Sequence, residues 1–287
     1  MTVLACSVDG VFQDPVTSFP FARAAQYGDG LFETIAVISS EPLFWQEHLH
    51  RLRHGAAVLG IAVPDAAILL AHWQDLQKRY PDIATSRRLV LKILLFRRDG
   101  QGYVTPKESA GQIVFLVQDW PARPTAYWRD GVRAGLSTVP LQCGASYLAL
   151  KSLNRLNQIM ARRALPEGWQ EAVLCDQQGC LREGIQSNVL WRRGETLYTP
   201  DLHDGGIRGV QLGAILRQAE GWGLTVQIVR TTPSALAEAE EILFCNSLIG
   251  FWPVQRWQDR SLPGAAGSLA QRLATWHRGL GLFPEEA

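Results

Sequence analysis

No stretch of this 287-residue chain approaches the roughly 18–20 consecutive apolar residues that a membrane span requires. Its most apolar run, residues 89–96, is strand-length and is interrupted by Lys92. An excess of one charge is missing too. The formal net charge is +1, which excludes the strongly basic balance of a nucleic-acid or membrane-surface binder. Asp9 cuts short an apolar N-terminal run that no basic segment precedes, so no signal peptide is expected. The cysteines Cys6, Cys143, Cys175, Cys180 and Cys245 are odd in number, and no pair has C-x-x-C spacing. That argues against a disulfide framework and a cysteine zinc site, and makes the cytoplasm the expected compartment.

Several signatures of chemistry are absent as well. There is no G-x-S-x-G elbow, no H-E-x-x-H pair, no P-loop and no dinucleotide fingerprint. His48, His50 and His54 lie close in sequence, but only His50 and His54 share a helix face, so no metal is expected. No internal repeat or low-complexity tract is found.

What is present suits an ordinary globular protein: 47% of residues are hydrophobic, and the length suffices for two modest domains or one large one. Strands are expected at 3–8 and 11–12 around Asp9-Gly10, and at 31–38 and 43–45 around Ser39-Ser40-Glu41-Pro42. Apolar Leu49, Leu52, Ala56 and Leu59 recur at three- and four-residue steps, predicting a helix over 46–59 that stops at Gly60. A helix over 65–78 and strands at 88–96 and 112–117 follow. Two prolines and little periodicity mark 119–126 as a linker, giving an N-terminal domain at 1–118 and a C-terminal domain at 127–287. The second domain is expected to hold strands at 132–139, 171–175, 180–183, 188–192, 196–198, 225–229 and 241–245. Its expected helices cover 153–164, 209–221, 234–239 and 268–277, the last with Ser268 as N-cap.

Three segments could carry chemistry. Lys151 lies between apolar Tyr147-Leu148-Ala149-Leu150 and Ser152-Leu153, where partial desolvation favours a neutral, nucleophilic amine. Its plain alternative is a lysine snorkelling at a helix start. Glu183 ends a strand, where a carboxylate could keep a pyridine nitrogen protonated or simply face solvent in a hairpin. Asp204-Gly205-Gly206-Ile207-Arg208-Gly209 leads into a helix. Its backbone N–H groups could cradle a phosphate, although such a segment is often only a turn.

Together these pieces resemble the fold-type IV pyridoxal-phosphate enzymes, a group that includes branched-chain aminotransferases, D-amino acid aminotransferases and aminodeoxychorismate lyases. The resemblance spans nearly the whole chain, and its motifs fall in the order of the family. They are Tyr27-Gly28-Asp29-Gly30-Leu31-Phe32-Glu33-Thr34, then His48-Leu49-His50-Arg51-Leu52, then Lys151-Ser152-Leu153-Asn154-Arg155-Leu156-Asn157. Glu183 with Ser187-Asn188 follows, then Gly206-Ile207-Arg208-Gly209, and Phe244-Cys245-Asn246-Ser247 before Trp252-Pro253-Val254. The resemblance implies a two-domain α/β (mixed α+β) protein of the D-amino acid aminotransferase-like fold, with pyridoxal 5'-phosphate held between the domains and a homodimeric assembly. It implies Lys151 as the Schiff-base lysine and Glu183, Ser187 and Asn188 at the pyridine-nitrogen segment. It implies Arg51, the N–H groups of Ile207 and Arg208, and Ser247 at the phosphate.

The K-x-L-N-R-L form around Lys151 and the Cys245-Asn246 pair are more similar to the lyases of the group than to its aminotransferases. This implies elimination of pyruvate from the small molecule aminodeoxychorismate, leaving 4-aminobenzoate for folate synthesis. The alternative is an aminotransferase acting on branched-chain or D-amino acids. On the lyase reading Lys151 is the expected proton carrier, assisted by Thr34. Asn246, Arg97 and Tyr103 are the expected substrate contacts. The lyases often carry R-G-x-G-G-R-G-Y. Here Arg97-Arg98-Asp99-Gly100-Gln101-Gly102-Tyr103 is one residue shorter, with Gln101 in place of the second arginine.

Overall fold

The computed structural model describes residues 3–13 and 23–284. By contact density the chain divides into two compact units, residues 1–122 with Leu150–Asn154, and Arg123–Ala149 with residues 155–287.

In the first unit the strands are β1 (Val3–Val8), β2 (Val11–Gln13), β3 (Gly30–Ile38), β4 (Glu41–Pro42), β5 (Arg88–Arg97) and β6 (Gly111–Asp119). They pair antiparallel in the order β2-β1-β6-β5-β3-β4. The helices are α1 (Arg23–Tyr27), α2 (Trp45–Leu59), α3 (Ala66–Arg79) and α4 (Pro81–Thr85). Alternation along β3 sends Leu31, Ile35 and Val37 into one core with Leu49, Leu52 and Ala56 of α2 and Leu69, Trp73 and Leu76 of α3. Glu33 has the parity of that buried face, while Phe32 and Thr34 have the other and are half-buried. The expected strand at 43–45 does not form. Phe44 takes a left-handed conformation (φ 54°) and turns the chain into α2 at Trp45. At its far end α2 stops at left-handed Gly60.

The largest departure from the sequence reading lies at Leu150–Asn154. A helix was expected from 153, but this segment is extended and pairs with β3. Phe32 donates its N–H to the Lys151 carbonyl (2.9 Å), Leu153 donates to the Gly30 carbonyl (3.0 Å), and Leu31 bridges Ser152. Helical geometry begins only at Leu156. A strand edge some 120 residues upstream satisfies these backbone groups, so no helix is needed to do so.

In the second unit the strands are β7 (Val132–Leu136), β8 (Glu171–Cys175), β9 (Leu181–Gly184), β10 (Asn188–Arg193), β11 (Thr196–Pro200), β12 (Thr225–Val229), β13 (Glu241–Asn246), β14 (Gly250–Trp257) and β15 (Arg260–Ser261). The helices are α5 (Ala126–Arg129), α6 (Leu156–Arg163), α7 (Val210–Gly221), α8 (Ser234–Ala237) and α9 (Ser268–Gly279). The mixed sheet runs β12-β11-β10-β13-β14-β7-β8-β9, with β15 on β14. It curls so that β9, last in the order, lies against β10. That curl brings the end of the Glu183 strand to the start of the Asn188 strand. Leu212, Ile215 and Ala219 of α7 pack with Leu190, Leu197 and Leu243 of the sheet and Leu269 and Leu273 of α9. Among the described residues no helix is long and apolar enough to cross a membrane.

Ser268 is not the N-cap of α9 but its first residue. Gly267 occupies the cap position, and a side chain from β13 does the capping: Glu241 accepts the N–H groups of Leu269 and Ala270, each at 3.0 Å. A Cβ on Gly267 would stand 2.0 Å from Glu241 Oε2. Glu241 also receives Arg192 Nε at 2.8 Å. Replacing it with Ala orphans two buried donors and weakens the hold on a guanidinium. Glu241→Ala should therefore cost about 2–4 kcal/mol in urea unfolding, and a stability equal to the parent's would show that another group caps the helix.

Candidate active site

In the first unit the chemistry gathers on β3. Glu33 is buried (1% exposed) and lies against two side chains from consecutive turns of α2. Arg51 donates to it twice, Nε to Oε1 at 2.8 Å and Nη2 to Oε2 at 2.5 Å, and His48 Nδ1 meets Oε2 at 2.7 Å. Burial alone would raise the Glu33 carboxyl. The Arg51 charge and the bonds from Arg51 and His48 outweigh it and bring it down to about 2. With Glu33 ionised, His48 carries its proton on Nδ1. Burial also lowers His48, against the pull of Glu33, so the histidine stays neutral. Two donors of Arg51, the expected phosphate arginine, are thus committed to Glu33, which orients its guanidinium.

The backbone pairing at Phe32 puts Lys151 Nζ 4.2 Å from the centre of the Phe32 ring. Thr34 follows two residues along the same face, opposite Lys92 of β5. Arg97 is a different matter. It is buried, with Nε on Asp29 Oδ2 (3.0 Å), Nη1 on the Gly60 carbonyl (3.2 Å) and Nη2 on the Leu59 carbonyl (2.5 Å). Asp29 also receives Arg23 Nε at 2.8 Å, and Arg23 Nη1 reaches the Gly102 carbonyl at 2.8 Å. Arg97 therefore caps the C-terminus of α2 and, through Asp29, joins the clamp on the 98–103 loop. Tyr103 on that loop is 91% exposed and stands beside the Tyr27 ring.

In the second unit the focus is the 204–209 turn. Glu183 is buried, and its carboxylate accepts the Ile207 N–H at 2.7 Å and Gln158 Nε2 at 3.2 Å. Asn188 holds the turn at two points: Nδ2 donates to the Ile207 carbonyl (2.7 Å) and Oδ1 accepts the Gly209 N–H (3.0 Å). Gly206 is left-handed (φ 84°), and a Cβ there would meet Leu202 at 2.8 Å, so only glycine suits it. Buried Arg182 ties the strand of Glu183 to the same turn through Asp204 Oδ1 (2.7 Å), and is itself braced by Asp176 Oδ2 (2.7 Å) from the β8–β9 connection. Between Glu183 and Asn188, the Ser187 hydroxyl is buried with no hydrogen-bond partner among the described residues, and a Cβ on Gly184 would stand 2.3 Å from it. Asn246 spends its side chain on the turn that carries Ser247: Oδ1 accepts the N–H groups of Leu248 and Ile249, each at 2.9 Å, and Nδ2 donates to the Gln186 carbonyl at 3.0 Å.

The site also rests on a buried acid that carries no motif. Glu171 of β8 is fully buried, and Oε1 accepts the Ile185 N–H at 2.5 Å, so it underlies the turn between Glu183 and Asn188. An acid inside the apolar stretch Glu171-Ala172-Val173-Leu174 was the signal that could have found it. Burial pushes its carboxyl up to about 7, against the Arg162 charge and the backbone N–H bonds.

The amino-transferase class IV family model matches residues 30–257. An aminodeoxychorismate lyase from Vibrio harveyi is 30% identical over 249 residues, 84% of this chain and 88% of that protein. The crystal structure of 4-amino-4-deoxychorismate lyase from Pseudomonas aeruginosa has a TM-score of 0.85 at 32% identity, covering 96% of this chain and 98% of that one. A branched-chain amino acid aminotransferase from Escherichia coli also has a TM-score of 0.85, at 21% identity, covering 98% and 95%, and this likeness is one of fold.

The Glu171 carboxyl has a testable consequence for stability. Its folded pKa of about 7 lies above the ordinary 4.5, so the folded state binds this proton more tightly than the unfolded state. Its contribution is therefore complete below pH 4.5 and is lost as pH rises toward 7. Glu171→Gln keeps an acceptor for Ile185 without that titration. Melting temperatures from pH 4.5 to 8 should favour the variant progressively with rising pH, and a constant difference across that range would refute the assignment.

Proposed function

The chain belongs to the class IV aminotransferase family, and from that premise we propose that it is a 4-amino-4-deoxychorismate lyase. It would eliminate pyruvate from aminodeoxychorismate and leave 4-aminobenzoate, a folate precursor. The observation that carries this reading is a contrast at equal backbone fit. A lyase and an aminotransferase have the same TM-score, but the identity is 32% to the lyase and 21% to the aminotransferase. The Lys151 segment, Lys151-Ser152-Leu153-Asn154-Arg155-Leu156, leans the same way. A cytoplasmic homodimer is part of the same proposal.

The family generally uses pyridoxal phosphate, and the donor set suits that group. A pyridine nitrogen calls for a buried carboxylate, which Glu183 supplies. A phosphate calls for glycines that allow close approach, which 206–209 supplies, although the Ile207 and Gly209 N–H groups there are held by Glu183 and Asn188. The unpartnered Ser187 hydroxyl is a further buried donor. We assign Lys151 to hold the cofactor, Glu183 with Ser187 to its ring side, and Arg51, Arg208 and Ser247 to its phosphate. Ile207 and Asn188 serve by shaping the turn, since the N–H of Ile207 and the amide of Asn188 meet protein partners. Arg97 and Asn246 likewise hold loops, which leaves exposed Tyr103 as the substrate-side candidate among these three.

When bound, pyridoxal phosphate supplies a protonated ring that draws off electrons released at the substrate carbon bearing the amine. Glu183 holds the proton on the ring nitrogen. The Lys151 amine takes the proton from C4 of the substrate. Once protonated, Lys151 donates it to the enolpyruvyl oxygen as the C3–O bond breaks. Thr34, on the Phe32 face of β3, assists that transfer. Aromatisation of the ring makes the elimination strongly downhill. On an aminotransferase reading Lys151 would return the proton to the cofactor, and turnover would require a keto acid.

The decisive assay supplies aminodeoxychorismate with no keto acid and follows both products. Pyruvate and 4-aminobenzoate should appear in equal amounts. Lys151→Ala should lower that rate by about a hundredfold or more. Absence of both products, from unreduced protein of which a separate sample gives a borohydride-reducible bond between the cofactor and Lys151, would sink the lyase reading and favour the aminotransferase.

A further inference from the structure

His277, near the C-terminal end of α9, is fully buried and plays no part in the chemistry assigned above. Nδ1 lies 2.8 Å from the Leu273 carbonyl, which can only accept, so Nδ1 carries the proton. Nε2 is therefore an acceptor, and it receives Gln211 Nε2 at 2.8 Å. Gln211 is the second residue of α7, two positions beyond Gly209 at the end of the 206–209 turn. The other side of the imidazole meets Gly250, where a Cβ would stand 2.6 Å from the ring. Gly250 is paired with Asn246 and closes the turn that carries Ser247. One neutral imidazole thus touches the start of the helix after one proposed phosphate segment and the closing residue of the other. The ring is also flanked by Phe251 and Trp276, at centroid distances of 5.1 and 4.7 Å. No charged side chain contributes to its titration, and burial lowers it to about 4, which keeps the Gln211 contact intact at neutral pH.

We propose that His277 is a positioning residue that holds the 206–209 turn and the Ser247 turn in register, and so sets the affinity for the phosphate of the cofactor. This rests on the phosphate assignment made under the proposed function. His277 acts through Gln211 and Gly250 and touches no cofactor atom itself.

The test titrates apoprotein with pyridoxal phosphate and, separately, with pyridoxal, which lacks the phosphate, following absorbance. His277→Phe keeps an aromatic ring against Gly250 but removes the acceptor. It should weaken pyridoxal phosphate about tenfold and leave pyridoxal unchanged. His277→Gln offers Gln211 an oxygen and should restore most of the affinity. Gln211→Leu breaks the same contact from α7, should match His277→Phe, and carries the test if that variant fails to fold. Equal weakening of both ligands, or no weakening in folded variants, would overturn the proposal. Ser247→Ala serves as the control: if it leaves the preference for pyridoxal phosphate over pyridoxal intact, the phosphate assignment itself falls.

Discussion

The second unit depends on a turn that cannot satisfy its own hydrogen bonds. Residues 204–209 carry three glycines and run toward a helix start, where backbone N–H groups have no partner within the helix. Side chains from β9 and β10 do that work. Glu183 takes the Ile207 N–H, Asn188 binds on both sides of Arg208, and Arg182 holds Asp204. The carboxylate and the turn are thereby built as one piece, with Glu171 beneath the short loop that joins Glu183 to Asn188. A shift in any of these shifts the others, because a buried polar group left unpaired costs more than a satisfied one returns.

The first unit solves a different problem. On the proposed reading Lys151 holds a cofactor and then carries protons, which calls for a mobile amine on a fixed backbone. Lys151 is placed by main-chain bonds to β3, at Phe32 and Gly30 on either side of the Leu31–Ser152 bridge, so its position does not depend on its side-chain contacts. Beside it, Glu33 fixes the orientation of the Arg51 guanidinium and the His48 ring. The charge of Arg51 is compensated by Glu33, which limits the cost of burying the pair.

The backbone does not choose the reaction. A lyase and an aminotransferase match this fold with equal TM-scores. Elimination and transamination share the lysine and the cofactor, and they part only at where the lysine delivers its proton. That choice rests on side chains around the substrate. In this chain the 98–103 loop is clamped through Arg23 and Asp29.

Much of this was visible in the residues alone. Apolar spacing marked β3, α2 and α7, because each buries one continuous face against a core. The ordered motifs located Lys151, Glu183 and the 206–209 turn. Distant partnerships were hidden. The extended Leu150–Asn154 segment pairs with a strand far upstream, the cap of α9 comes from Glu241, and Arg97 is consumed by Asp29 and the end of α2. His277 gave no local sign, since a lone histidine on a helix has no signature. The sequence by itself determined the family, the periodic elements and the residue types available for catalysis. Only the tertiary structure decided which donor meets which acceptor, because those bonds join residues far apart in the chain and form only when both are buried together.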